Sequence, residues 1–323
     1  MRLAVLLVAS LVATVPRPAD SLEKLRIGYP AANVSVTPLF IAMDLGFFRA
    51  EGLDVEMTFI SGATPVVQAL IAGDIQAGVT VGAPPVVTAV SQGAELTIAA
   101  VLGNRLDYTL VSRTPVRAPA ELVGRRFGIS AFGSPAEVAT RIVLKRLGVD
   151  PDRVSMVAVG GGPQRTAALS AGVIDFTVLS SSELLQAPDP VLIVLDLAKV
   201  GLDFPTQTLV VTKQFAAQKR PLVLGMIRAL VKAVRYMRTN REESVRIAAR
   251  RTKIDDLERI QKQWHHVAFN LWQEVPRPSE PGFRLVVETL TDRHPRLATL
   301  RPSDVFDASF VEELERSGFF ANR

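Results

Sequence analysis

From residue 25 onward the period of the hydrophobic positions changes again and again. Short β-rich runs alternate with helix-periodic stretches: 25–28 then 38–49, 53–60 then 65–72, 75–81 then 84–90. The order restarts with strand patterns at 126–130, 154–159 and 174–179, and helical patterns at 135–147 and 163–170. Such alternation predicts an α/β fold with helical crossovers. After Thr206 one strand-like run, 208–212, precedes helical patterns over 221–239, 242–251, 255–272 and 282–293, so the C-terminal part is expected to be helical.

The two series share residues as well as periods. Ala69-Leu70-Ile71-Ala72-Gly73-Asp74-Ile75 aligns without gaps on Ala168-Leu169-Ser170-Ala171-Gly172-Val173-Ile174, and Ser61-Gly62 falls on Gly160-Gly161 under the same shift. This predicts two α/β lobes of related build. Lobe one is read as 20–109 plus 206–323, including the C-terminal helices, and lobe two as 110–205. Two hinge crossings are expected, near 108–112 and 202–208, an arrangement suited to closure around a ligand.

Five helical stretches start with proline after small residues: Thr37-Pro38, Thr64-Pro65, Ala83-Pro84, Ser134-Pro135 and Gly162-Pro163. Proline suits the first helical position, and the amides after it have no intrahelical acceptor. Converging helix starts can hold a small anion or polar solute without doing chemistry on it. Ser134 with Glu137 three residues on forms a capping-box signature.

Ligands of open α/β sheets sit beyond the carboxyl ends of the strands. The expected cleft therefore draws Asn33, Ser35, Gly62, Thr64, Gly82 and Ala83 from lobe one. Lobe two is expected to add Phe132, Gly133, Ser134, Gly162, Arg165, Ser180 and Ser181. Glycines let backbone approach the ligand, and hydroxyls supply adaptable hydrogen bonds. Thr37, Thr64 and Ser134 suit plain N-caps equally well. Arg165 lies in a first helical turn, where a cation is disfavoured, and its fork suits a carboxylate, sulfonate or phosphate, or a salt bridge to a nearby acid. Phe132 suits stacking on an aromatic ligand or core packing, and Trp264 and Trp272 read as packing.

Composition narrows the function. The chain has 323 residues, 48% of them hydrophobic, and a formal charge of +5. Its basic residues are scattered among acids, so no nucleic-acid partner is expected. Residues 1–19 read as a secretory signal: Arg2, an apolar run over 3–15, then prolines and small residues, with cleavage after Ala19 or alternatively after Ala13. That run is shorter than the ~20 residues that span a bilayer. The chain has no cysteine, which removes disulfides, thiolate chemistry and a lipid-modified N-terminus. His265 and His266 are adjacent and point to different helix faces, so no metal site is expected. No cofactor is expected either. The nucleophile-elbow, zincin, P-loop and dinucleotide-binding motifs are all missing, and Gly160-Gly161-Gly162-Pro163 lacks the lysine of a P-loop and reads as a tight turn. The chain is therefore expected not to be an enzyme.

Arg26-Ile27-Gly28-Tyr29-Pro30, then 37–46 (TPLFIAMDLG) and 47–56 (FFRAEGLDVE), resemble the opening of the SsuA-like substrate-binding proteins, the alkanesulfonate, taurine and thiamine-pyrimidine family. The resemblance continues through 68–74 (QALIAGD), Phe127-Gly128-Ile129-Ser130, Phe132-Gly133-Ser134 and 165–175 (RTAALSAGVID), and in general character to the C-terminus. It implies a type II periplasmic-binding-protein fold, and a monomer, free in the periplasm, that hands a small organic solute to an ABC importer permease in the inner membrane. The solute would be a sulfonate, a carboxylate, or a small aromatic or pyrimidine compound. The family's thiamine-pyrimidine synthases depend on a histidine, a lysine and a cysteine-rich segment. This chain departs from that branch, lacking cysteine and carrying its histidines at 265, 266 and 294. That enzyme and a ligand-sensing domain of a membrane receptor are the alternative functions.

Overall fold

The computed structural model describes residues 22–187 and 191–321; the signal expected over 1–19 lies outside them. Among the described residues, ten strands form two sheets. They are β1 (Glu23–Tyr29), β2 (Leu53–Phe59), β3 (Ala77–Val79), β4 (Leu96–Asn104), β5 (Tyr108–Ser112), β6 (Arg126–Ile129), β7 (Ser155–Ala158), β8 (Phe176–Ser180), β9 (Leu192–Asp196) and β10 (Pro205–Thr212). The first sheet has the order β2-β1-β3-β10-β4 and the second β7-β6-β8-β5-β9. In each, three parallel strands come first, and the fourth runs antiparallel to both neighbours.

The internal likeness extends to single contacts. Gly28 of β1 lies against Ile75, and a Cβ on it would stand 2.5 Å from the isoleucine δ-methyl. Gly128 of β6 is placed the same way against Ile174, where a Cβ would overlap the δ-methyl. The missing side chain lets the loop that enters the next strand lie across the central one, and each isoleucine is buried. Gly73 and Gly172, aligned in sequence, both hold φ in the left-handed region, +80° and +71°, where glycine is unstrained.

Several segments differ from the sequence reading. The helix expected over 38–49 is two, Thr37–Asp44 and Phe47–Ala50, because Gly46 between them has φ +73°. The pattern over 255–272 is the α-helix Leu257–His265 followed by a π-helical turn, His266–Leu271. Strand β4, which no strand pattern announced, is almost wholly buried and so reads as a continuous apolar run rather than an alternating one. The segment 108–112, expected to carry the first crossing, is β5, inside the second sheet. The crossing itself is Arg105–Leu106–Asp107, and the return lies between β9 and β10.

Most of the C-terminal helices cover the first sheet. Arg220–Thr239 packs Val223, Ile227, Leu230 and Val234 into the same core as Leu39, Ile41 and Leu209. The helix Glu280–Leu290 instead bridges the lobes. Its Phe283, Val286 and Leu290 share a core with Val86 and Val87 of helix Ala83–Ser91 and with Val138 and Ile142 of helix Pro135–Arg146. The two lobes are thus joined by an apolar seam as well as by the crossings.

Gly128→Ala is expected to lower stability by about 1–3 kcal/mol, the usual cost of overpacking. Ile174→Val in the same chain removes the clashing methyl and should restore part of that loss, as read by urea unfolding of the two single variants and the double.

Candidate functional site

One cavity of about 300 Å³ lies between the lobes. Its wall takes residues from the C-terminal end of every parallel strand or the segment that follows it: Pro30–Asn33 after β1, Ser61–Ala63 after β2, Thr80 and Val81 after β3, Ser130 after β6, Gly161–Arg165 after β7, and Ser180 at the end of β8 with Glu183 after it. Asp107 of the first crossing, Tyr108 of β5, Thr206 and Gln207 of β10, Pro135 and Ala136 of helix Pro135–Arg146, and Leu271 also line it. The lobes meet across its mouth, where a Cβ on Gly161 would stand 3.2 Å from Ser61 Oγ.

Of the residues singled out in the sequence, Asn33, Ser35, Gly62, Gly162, Arg165 and Ser180 line this cavity. Asn33 Oδ1 accepts from the Ser35 amide at 3.0 Å and the Ser35 hydroxyl at 2.6 Å, which holds the turn after β1. The Trp272 indole donates to the Ser35 carbonyl at 2.7 Å, so the C-terminal region supports that turn from behind. Thr64, Gly82, Ala83, Phe132, Gly133, Ser134 and Ser181 are not in the wall. Gly82 and Ser134–Pro135 meet each other in the seam, a Cβ on Gly82 standing 3.0 Å from the Pro135 ring. The Ser134 hydroxyl is used as an N-cap for the Glu137 amide. Glu137 reaches back to the Gly133 amide at 2.5 Å and pairs with Arg141 at 2.9 Å. Phe132 is half exposed, with the Arg293 guanidinium 5.6 Å from its ring centre.

Arg165 is placed otherwise than an open anion receptor. It is 2% exposed, and its Nη2 donates to both oxygens of Glu183, each at 2.9 Å, while Nη1 donates to the Gly160 carbonyl at 3.0 Å. The salt bridge, the other role open to this arginine, takes up the end of the fork. Glu183 is itself fixed by a full capping box: its carboxylate accepts from the Ser180 amide and the Ser180 hydroxyl accepts from the Glu183 amide. Ser180-Ser181-Ser182-Glu183 carries the capping-box signature in the sequence, although nothing there pairs Glu183 with Arg165.

The crossing residue Asp107 ties three parts of the chain together. Its Oδ1 accepts from the Ser181 hydroxyl at 2.5 Å, and His266 Nε2 of the π-helical turn lies 3.2 Å away. That second contact is within ion-pair range without the geometry of a directed hydrogen bond. The approach of Asp107 raises the His266 pKa; burial opposes, and the charges of Asp107 and Asp196 add to the rise. Burial also pushes the Tyr108 phenol far above its ordinary range, aided by Glu183, so it stays a neutral hydroxyl.

Sequence reasoning missed Thr80, Tyr108, Glu183 and Gln207. Thr80 has φ +62°, a strained value for a β-branched residue, and strain of this kind gathers at functional sites. No local motif marks it. Gln207 follows Thr206 where the register of β10 against β4 shifts, and such irregularities re-aim side chains.

Arg165→Ala should cost about 3–5 kcal/mol of stability, because it strands the largely buried Glu183 carboxylate; thermal or urea unfolding checks this. Because the folded His266 pKa is raised, its pairing with Asp107 stabilises fully below the unfolded value near 6.5 and the benefit is lost as pH rises through the folded pKa. The stability gap between the parent and His266→Ala should accordingly shrink from pH 5.5 to pH 8.5 in unfolding curves measured across that range.

Comparison with known proteins agrees with this architecture. The taurine-binding periplasmic protein of Escherichia coli is 27% identical over 199 residues, covering 60% of this chain and 61% of that protein. The formylaminopyrimidine-binding protein of Halalkalibacterium halodurans is 28% identical over 164 residues, covering 49% of this chain and 48% of that one. The chain thus spans less than two thirds of the length of either relative. The alkanesulfonate-binding protein SsuA of Xanthomonas axonopodis pv. citri superposes with a TM-score of 0.72 at 19% identity, covering 92% of this chain and 99% of that one. The two lobes therefore have the fold of periplasmic binding proteins, and the SsuA-like resemblance of the sequence is borne out. The model of the NMT1/THI5-like family matches residues 33–244, more than half of the chain, and the chain belongs to that family.

Proposed function

We propose that this protein captures a small organic solute between its lobes and delivers it to the permease of an ABC importer. The observation that carries this reading is the convergence of the links after all six parallel strands, three in each lobe, on one cavity. Such links present backbone amides and hydroxyls to a solute and release it when the lobes part. The apolar part of the wall, Val36, Phe59, Val81 and Leu271, accommodates a hydrocarbon or ring portion. Relatives named for taurine and formylaminopyrimidine binding point the same way. On this reading the protein works as a monomer in the periplasm, exported by its first 19 residues and free of a lipid anchor. Among the described wall residues there is no lysine or histidine, the groups that a thiamine-pyrimidine synthase would need in its cleft.

Thermal unfolding of the purified protein against sulfonates, carboxylates, aromatic compounds and pyrimidines tests the proposal. A true solute at ~100 times its Kd adds about 2.7 kcal/mol, which raises Tm by roughly 5–10 °C, and chromatography should recover it unchanged. An unmoved Tm throughout, or conversion of the solute, would contradict solute capture.

A further inference from the structure

The cavity wall has a charge and hydrogen-bond pattern that selects among solutes. Among the described residues, its charged side chains are Asp107, Arg165 and Glu183. The single cation is spent on Glu183, and Asp107 holds Ser181 with His266 behind it. A full anion entering here would meet no uncommitted cation; Arg165 and Glu183 offset each other, and the charge left in the wall is the carboxylate of Asp107, whose repulsion a low-dielectric cavity strengthens.

The polar atoms left over are of another kind. Gln207 Oε1, Thr80 Oγ1 and Arg165 Nε are buried, and none has a hydrogen-bond partner among the described residues. All three residues line the cavity, and each is more than nine-tenths buried: Gln207 at 7%, Thr80 at 8% and Arg165 at 2% exposed. Leaving such atoms unpaired costs free energy, so each calls for a partner. One is an acceptor, one a donor, and the hydroxyl serves as either.

The chain also makes room for the amide. Gly103 on neighbouring β4 lies under Gln207, where a Cβ would stand 2.6 Å from the glutamine Cγ and overlap the Leu271 carbonyl. Thr80 is held next to it, its amide donating to the Thr208 carbonyl at 2.9 Å in spite of its positive φ. A strained threonine and a close-packed glutamine therefore stand side by side at the end of the β3–β10 pair.

From this pattern, and resting on the solute-capture reading above, we infer that the cavity selects an uncharged solute carrying an N–H donor beside a carbonyl-type acceptor, as in a carboxamide or urea, with Gln207 and Thr80 setting that selectivity. The solute's N–H donates to Gln207 Oε1. Its carbonyl oxygen accepts from Arg165 Nε and from the amides of the helix starts, where partial positive charge suits a dipole as well as an ion. Thr80 serves whichever of the two groups lies nearer.

Calorimetric titration of the full chain with matched compounds tests this: benzamide and phenylurea against benzoate and benzenesulfonate. The uncharged members should bind at least tenfold tighter than the anions. Gln207→Leu should weaken them at least tenfold without lowering the Tm of the unliganded protein, because it deletes an unpaired buried polar group. Thr80→Gly should act likewise, since glycine accepts φ near +60° without strain. A sulfonate or carboxylate that binds more tightly than its amide counterpart would overturn the inference and leave solute capture standing. Undiminished amide binding by Gln207→Leu would overturn it too. Failure of both series to bind the folded protein would count against the inference and against solute capture together.

Discussion

Each sheet is completed in its fourth position by a strand that has just crossed from the other lobe. β5 enters the second sheet between β8 and β9, and β10 enters the first between β3 and β4, each antiparallel to both neighbours. Both crossings are therefore anchored inside a sheet rather than at its edge. The three parallel strands beside each inserted strand end toward the opposite lobe, and every helix that follows them starts there. The interlobe cavity is the consequence of that topology, and the proline-led helix starts are its local expression.

The chemistry of the cavity depends on how its charges are already spent. Glu183 caps its own helix and pairs with Arg165, so two elements of lobe two are fixed against each other before any solute arrives. Asp107 does the same at the crossing, linking Ser181 of lobe two to His266 of the C-terminal region. Behind the cavity the apolar seam of Val87, Val138 and Val286 joins the lobes. Pre-organised walls of this kind leave the selective contacts to a few uncommitted polar atoms.

Much of this was legible in the sequence. The alternating periods, the repeated helix-glycine-strand segment and the proline-led starts lead to two α/β lobes, and the aligned Gly73 and Gly172 do hold the same backbone conformation. Position within a helix, however, could not say which residues of a start face the cavity: Ser134 is used up capping its own helix while Pro135 and Ala136 enter the wall, whereas Gly162 reaches the cavity itself. Arg165 stood out as a cation in an unfavourable place, but its partner lies on another helix, and only the fold brings the two together. β4 lacked an alternating pattern because both of its faces are buried. Thr80 and Gln207 sit in segments with no motif; a strained φ and a shift in strand register are properties of the folded chain.

Because the chain has no cysteine, two can be introduced on exposed positions of the outermost strands, Glu56→Cys on β2 and Ala158→Cys on β7, and labelled for energy transfer. If the lobes close on a solute held between them, transfer efficiency should rise on adding a saturating solute and fall back when it is dialysed away. A solute that binds, by calorimetry, without changing the transfer efficiency would contradict capture by closure of the lobes.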